Sequence, residues 1–245
     1  MSTSHNRPAS GQAEGKRQDV ESMFNAIAPK YDLLNRVLSL GIDQYWRKRA
    51  VGLLRDRAPR RILDVATGTA DLAIESLSLH PDRVVGIDIS AEMLRFGDEK
   101  LAERGLDDRI TLQQGDVAHL PFDDGSFDAV LVAFGVRNFE DLQGGLREIR
   151  RVLTPGGALV VLEFSQPTAF PIKQAYDLYS AHVLPRIGQA VSRDSGAYEY
   201  LPSSIRAFPA GDAFRAELHE AGYADTLAQP LTFGIASLYK GLREG

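Results

Sequence analysis

The 245-residue sequence contains no cysteine. That absence removes disulfides, thiolate metal sites and a cysteine nucleophile. Basic residues are also in deficit: 28 Lys and Arg stand against 33 Asp and Glu, a net charge of −5. A general nucleic-acid binder needs a basic excess to displace counterions from phosphates, so no nucleic-acid partner is expected. No apolar run approaches the roughly 20 residues of a membrane-spanning helix. The N-terminus lacks the roughly 7–15-residue apolar core of a secretory signal. What is present is an ordinary globular mix, 44% hydrophobic and 25% charged, long enough to bury a full core. The expectation is a soluble, cytoplasmic chain.

Residues 1–18 are rich in Ser, Gly, Ala and charge, and are predicted to be a disordered tail ahead of one domain spanning 19–245. From Asp19, a suitable N-cap, Val20, Met23, Phe24 and Ile27 recur at helical spacing until Pro29. A short helix carrying Leu33, Leu34, Val37 and Leu38 follows, then a third after Asp43 with Trp46, Ala50, Leu53 and Leu54 on one face. Residues 19–58 thus form an N-terminal helical extension. From Arg61 apolar runs alternate with helical segments, with strands at 61–65, 83–87, 110–114, 127–133 and 157–164 and helices at 71–79, 91–103 and 142–153. Such alternation produces βαβ units and a parallel sheet. Residues 165–210 break the rhythm as an irregular or helical insertion. A helix at 212–221 and strands near 224–229 and 235–242 close the chain, giving seven strands.

In open parallel sheets, ligands bind beyond the carboxyl ends of the strands. The first strand ends in Asp64-Val65-Ala66-Thr67-Gly68-Thr69-Ala70-Asp71. Gly68 permits a tight turn with close backbone approach, and the next helix starts at once. The second strand ends in Asp88, placed to accept both hydroxyls of a ribose, with Ser90 as a helix cap. The third ends before Asp116-Val117, an acceptor for an adenine amino group beside an apolar contact for its ring. Acids at successive strand ends indicate an adenosine site. Both NAD and S-adenosylmethionine contain adenosine. The turn lacks G-x-G-x-x-G, and Asp64 and Asp71 would repel a pyrophosphate while suiting an ammonium and a sulfonium, which favours S-adenosylmethionine.

The stretch from Asp64 to Asp71 resembles the first motif of the class I S-adenosylmethionine-dependent methyltransferases. More narrowly, the chain resembles the quinone-biosynthesis C-methyltransferases, which methylate demethylmenaquinol and, in some members, a ubiquinol precursor. The resemblance runs from about Val20 to Leu242 and is carried by the run from Met23 to Asp32, by Asn35, by Trp46-Arg47, by Phe134-Gly135-Val136-Arg137-Asn138, by Arg151 to Gly157, by Leu162-Glu163-Phe164-Ser165 and by Tyr200 to Ile205. It implies a Rossmann-like α/β domain with a seven-stranded, mostly parallel sheet and helices on both faces. S-adenosylmethionine is the implied methyl donor, with Asp64, Gly68, Thr69, Asp88, Asp116 and Val117 around it. Two departures stand out: Ala70 where the family commonly has Gly, and Ala133 where some members have a donor-contacting Ser.

The implied acceptor is a lipid quinol, which needs an apolar cleft and access to a membrane surface, so peripheral membrane contact is expected. Phe164, Phe170, Tyr176, Tyr179, Tyr198, Tyr200 and Phe208 crowd the insertion and suggest a lid over a flat ring. Phe24, Ile27, Leu34 and Leu38 could offer an opposite wall, but packing on the sheet is the expected role for most of them. The implied reaction is direct methyl transfer to a ring carbon activated by removal of a hydroxyl proton. Arg137 and Asn138 are the catalytic candidates, for holding the phenolate or polarising a water; His182, Tyr176 and Tyr179 are weaker ones. No metal is implied. Three alternatives stay open: another small acceptor, an NAD-dependent oxidoreductase, and a donor-binding module without catalysis. Oligomeric state is not legible.

Overall fold

A computed structural model of the chain describes residues 10–39, 41–180 and 196–245. Apolar runs bounded by Gly and Asp become the strands β1 (Arg61–Val65), β2 (Arg83–Asp88), β3 (Ile110–Gln114), β4 (Phe127–Ala133) and β5 (Leu153–Phe164), followed by β6 (Tyr223–Leu231) and β7 (Ala236–Arg243). They form one seven-stranded sheet in the order β3-β2-β1-β4-β5-β7-β6. The first five are mutually parallel, and β7 inserts antiparallel between β5 and β6. The predicted topology class and all seven strands are present.

Period-two alternation divides the core. Leu63, Val65, Val85, Val130 and Val132 face one side, where α6 (Leu142–Val152) and a later helix, Asp212–Glu220, supply Leu146, Ile149, Phe214 and Leu218. Ile62, Val84, Ala129, Leu131 and Val160 face the other. There α3 (Ile42–Gly52), α4 (Asp71–Ser76) and α5 (Ala91–Arg104) contribute Trp46, Ala50, Leu72, Ala73 and Leu101. Central strands buried on both faces are continuous apolar runs for this reason.

The N-terminal extension consists of α1 (Ser10–Ile27), α2 (Tyr31–Leu38) and α3. Helix α1 starts at Ser10, so the tail boundary expected at Gln18 falls inside a helix; residues 1–9 lie outside the described ones. Pro29 enters a 3-10 turn, Ala28–Lys30, that joins α1 to α2. The insertion supplies α7 (Ile172–Leu178) and α8 (Gly196–Ala207), and the Asp212–Glu220 helix is α9. Among the described residues, no helix is long and apolar enough to cross a membrane.

Candidate active site

Parallel strands all end on the same side of a sheet, so residues far apart in sequence meet there. The ends of β1, β2, β3 and β4 wall a cavity of about 280 Å3. It lies where the strand order reverses between β1 and β4, the usual ligand position in such sheets. The loops after these two strands approach closely: a Cβ on Gly135 would lie 2.5 Å from the Ala66 Cβ. Ala66 and Phe134, both on the cavity, have left-handed φ values of 56° and 58°.

Asp88 anchors the cavity. Its Oδ2 accepts the Gly68 N–H at 2.8 Å and its Oδ1 accepts the Ser90 N–H at 2.9 Å. The carboxylate keeps acceptor capacity for a hydroxyl donor beyond these bonds. Burial pushes this carboxyl up, opposed by the backbone N–H groups of Ser90, Gly68 and Ile89. Asp116 accepts the Ala118 N–H at 2.9 Å, and Val117 lines the wall beside it. Gly68, Asp88, Asp116 and Val117 therefore line one cavity, and Asn138, expected on the catalytic side with Arg137, lines it as well.

Asp64 and Thr69 do not line this cavity. Asp64 shares the parity of Ile62, so its side chain turns toward the α3–α4 layer and is buried there. Burial raises its carboxyl to about 7, opposed by hydrogen bonds from the Thr67 hydroxyl and the Ala73 N–H and by the charge of Arg47. The Thr67 bond measures 2.7 Å. Thr69 is buried and donates its hydroxyl to Asp32 of α2. The turn accepts Ala70 in a left-handed conformation, φ 68°.

A second cavity of about 350 Å3 opens beside the first, and Phe24, Tyr31 and Phe134 line both. Its walls come from the N-terminal helices (Met23, Ile27, Asn35, Trp46), from Phe164 at the end of β5, and from Tyr176, Tyr179 and Tyr200 of the insertion. Phe24 and Ile27 are thus cavity walls rather than sheet packing; the side chains of Leu34 and Leu38 lie outside the described residues. The aromatic cluster divides likewise. Phe208 is core, packed against Phe214, and Phe170 is exposed. The side chain of Tyr198, and His182, lie outside the described residues.

Arg137 projects into this second cavity, whereas Asn138 faces the first. The guanidinium pairs with buried Glu163 at 2.7 Å and donates to the Phe134 carbonyl. The Glu163 carboxylate also accepts the Arg137 N–H at 3.2 Å. Arg137 Nε is buried without a hydrogen-bond partner, while the guanidinium as a whole lines the cavity with donors beyond those spent on Glu163 and the Phe134 carbonyl. Tyr200 donates to Asn138 Oδ1 at 3.0 Å and so ties the insertion to the loop that carries both candidates. Burial raises the phenols of Tyr31, Tyr176, Tyr179 and Tyr200. At neutral pH they are hydroxyl donors rather than bases. Sequence reasoning assigned no role to Tyr31 or Glu163. An acid inside the apolar run of β5 was a readable sign of a buried ion pair.

The sheet order and the strand-end cavity define the class of S-adenosylmethionine-dependent methyltransferase folds. A solved SAM-dependent methyltransferase from Thermotoga maritima superposes with a TM-score of 0.62 over 91% of this chain and 99% of its own, at 16% identity, a likeness of fold alone. The chain belongs to the ubiE/COQ5 methyltransferase family, whose pattern it matches over residues 12–243. A demethylmenaquinone methyltransferase of Bacteroides fragilis is 47% identical over 225 residues, covering 91% of this chain and 92% of that protein. A ubiquinone/menaquinone biosynthesis C-methyltransferase of Geobacter sp. is 47% identical, covering 93% and 97%.

Proposed function

We propose that this enzyme methylates a ring carbon of demethylmenaquinol to give menaquinol, with S-adenosylmethionine as donor. The observation that carries this reading is the pair of cavities meeting at Tyr31 and Phe134, one walled by strand-end acids and the other aromatic with a buried arginine. The first suits the donor: Asp88 retains acceptor capacity for ribose hydroxyls, and Asp116 and Val117 provide a polar edge and an apolar contact for adenine. Asp64 and Thr69 support the turn from behind. Bound S-adenosylmethionine supplies the electrophilic methyl group.

The chain's own residues orient the acceptor and support its charge. Phe164, Tyr176, Tyr179 and Trp46 offer faces for a flat ring. The Arg137 guanidinium, on the wall of the second cavity, is the donor to hold a ring oxygen as it loses its proton, in a site where burial strengthens the contact. Glu163 fixes the guanidinium plane. Loss of the hydroxyl proton raises electron density at the adjacent carbon; forming the new C–C bond would break the sulfur–methyl bond and leave the neutral thioether, after which the proton on that carbon is released to water. The deciding assay incubates the purified protein with demethylmenaquinol and methyl-labelled S-adenosylmethionine. Label on the quinol ring is expected; donor binding with no ring label would overturn the reading. A parallel reaction with a ubiquinol precursor tests the broader acceptor range in the Geobacter relative's name.

The reading includes peripheral membrane contact, which supplies a route for a membrane-dissolved quinol. Leu33, Tyr45, Phe170, Leu178 and Phe233 are large apolar residues left exposed, Phe170 at 81% and Phe233 at 75%. Each lies within two residues of a wall of the second cavity: Tyr31, Trp46, Ile172, Tyr179 and Thr232. Exposed Arg36, Lys48 and Arg49 flank Leu33 and Tyr45, a basic stretch on an acidic chain that suits anionic lipid headgroups, whereas Lys173 near Phe170 is paired with Asp177 at 2.6 Å. Phe170→Ser with Phe233→Ser is expected to reduce sedimentation with anionic vesicles; unchanged sedimentation would remove this surface.

A further inference from the structure

Two polar attachments join the N-terminal helices to the strand ends. Near the end of α1, Asn25 accepts the Ser90 hydroxyl at 2.7 Å and the Glu92 N–H at 3.3 Å. In the first turn of α2, one oxygen of Asp32 accepts the Thr69 hydroxyl at 2.5 Å, and the other meets Lys100 Nζ of α5 at 2.6 Å. Lys100 also reaches Asp71 at 2.7 Å and the Thr69 hydroxyl at 3.1 Å. Phe24 and Tyr31, each one residue before an attachment, form part of the wall of the strand-end cavity and of its junction with the second. Thr69 follows Gly68, whose N–H is bound by Asp88. One short turn therefore carries both the contact to the N-terminal helices and the contact to the ribose acceptor.

The arrangement is asymmetric in a way that favours reversible opening. Asp32 is the exposed partner, its side chain 43% accessible, whereas Lys100 is 14% accessible. If α2 moves outward, Asp32 enters water. Lys100 keeps Asp71, and the Thr69 oxygen keeps the Lys100 donor, so no buried charge is stranded. Partly exposed ion pairs are individually weak, which suits a contact that breaks whenever a ligand enters or leaves.

We propose that Asp32, acting through Thr69 and Lys100, is a positioning residue that holds the N-terminal helices closed over the strand-end cavity and sets Tyr31 at its junction with the second. This rests on assigning the strand-end cavity to the methyl donor. The test uses the full chain with Asp32→Ala, Lys100→Met and the conservative Lys100→Arg. In donor-free protein, amide exchange across residues 20–38 is expected to accelerate on the order of tenfold in the first two variants, with exchange in the central strands unchanged. Dissociation of S-adenosylmethionine, followed by stopped-flow displacement, is expected to accelerate by a similar factor. Lys100→Arg should restore slow exchange and slow release, and the double variant should add little to either single one. Exchange in residues 20–38 that does not change overturns the clamp, and so does acceleration spread evenly through the sheet. A wild-type chain that fails to bind S-adenosylmethionine overturns instead the donor assignment, which the exchange measurement does not require.

Discussion

The strand-end cavity is walled mainly by backbone turns at the ends of four parallel strands, whereas the second cavity is walled by side chains from segments that belong mostly to no strand. In the first, Asp88 is fixed by two backbone N–H groups, and its position follows from where β2 stops. In the second, Arg137 is fixed by a side chain, Glu163, and by the Phe134 carbonyl, and the walls come largely from the N-terminal helices and from the insertion between β5 and β6. A site set by strand ends tolerates changes elsewhere; a site set by side-chain packing depends on each partner.

The largest effect that would break this comparison is expected at Arg137. Arg137→Ala leaves Glu163 buried and unpaired, which costs about 3–5 kcal/mol of stability. Adding Glu163→Gln is expected to recover much of that loss, read from denaturant midpoints. Turnover of demethylmenaquinol should stay about a thousandfold below wild type in the double variant, with donor affinity by calorimetry within about twofold. Recovery of turnover together with stability would make the arginine purely structural.

The next effects belong to the donor side. Asp64 has its carboxyl raised to about 7 from an ordinary 3.8, so the folded chain binds a proton that the unfolded chain has released between these values. Its contribution is therefore intact below about pH 4 and is lost as pH rises to about 7, a penalty of up to about 4 kcal/mol. Asp64→Asn should remove that slope, giving a variant whose stability relative to wild type increases with pH across this window. Denaturant titrations at several pH values measure it, and parallel curves would contradict a buried carboxyl. Asp88→Ala is expected to weaken S-adenosylmethionine binding about a hundredfold by calorimetry, while acceptor-side contacts persist.

The same contrast explains what was legible in the sequence. Strands β1, β4 and β5 are buried on both faces over most of their length and read as largely apolar runs. Asp88 closes the apolar run of β2 and Asp116 lies two residues past β3, so their place at the strand ends could be read from the sequence. Asp64 was assigned to the donor wall although its parity with Ile62 directs it to the helix layer. Helix α1 begins earlier than expected because residues 10–18, with two glycines and several charges, carry no apolar period. Arg137 was recognised by its motif, but its partner Glu163 becomes meaningful only once β5 is paired in the sheet. Lys100 on α5 carries no local sign at all, since Asp32 and Asp71 reach it only in the folded chain. Tertiary packing decides these cases, and local pattern does not record it.

The smallest predicted effect tests the backbone half of the comparison most directly. Ala70 is fully buried at φ 68°, where an L residue is disfavoured by roughly 1–2 kcal/mol. Ala70→Gly relieves that strain, loses a buried methyl group worth about 0.8 kcal/mol, and adds unfolded-state entropy of about 0.5–1 kcal/mol. These terms nearly cancel, so the expected change in stability is within about 0.5 kcal/mol. Ala73, equally buried one turn into α4, lacks the left-handed strain, and Ala73→Gly should cost about 2 kcal/mol. Denaturant midpoints of the two variants measured side by side should therefore separate clearly. Equal losses would mean that the turn after β1 is not left-handed at Ala70, and the backbone path that presents Gly68 to Asp88 would have to be redrawn.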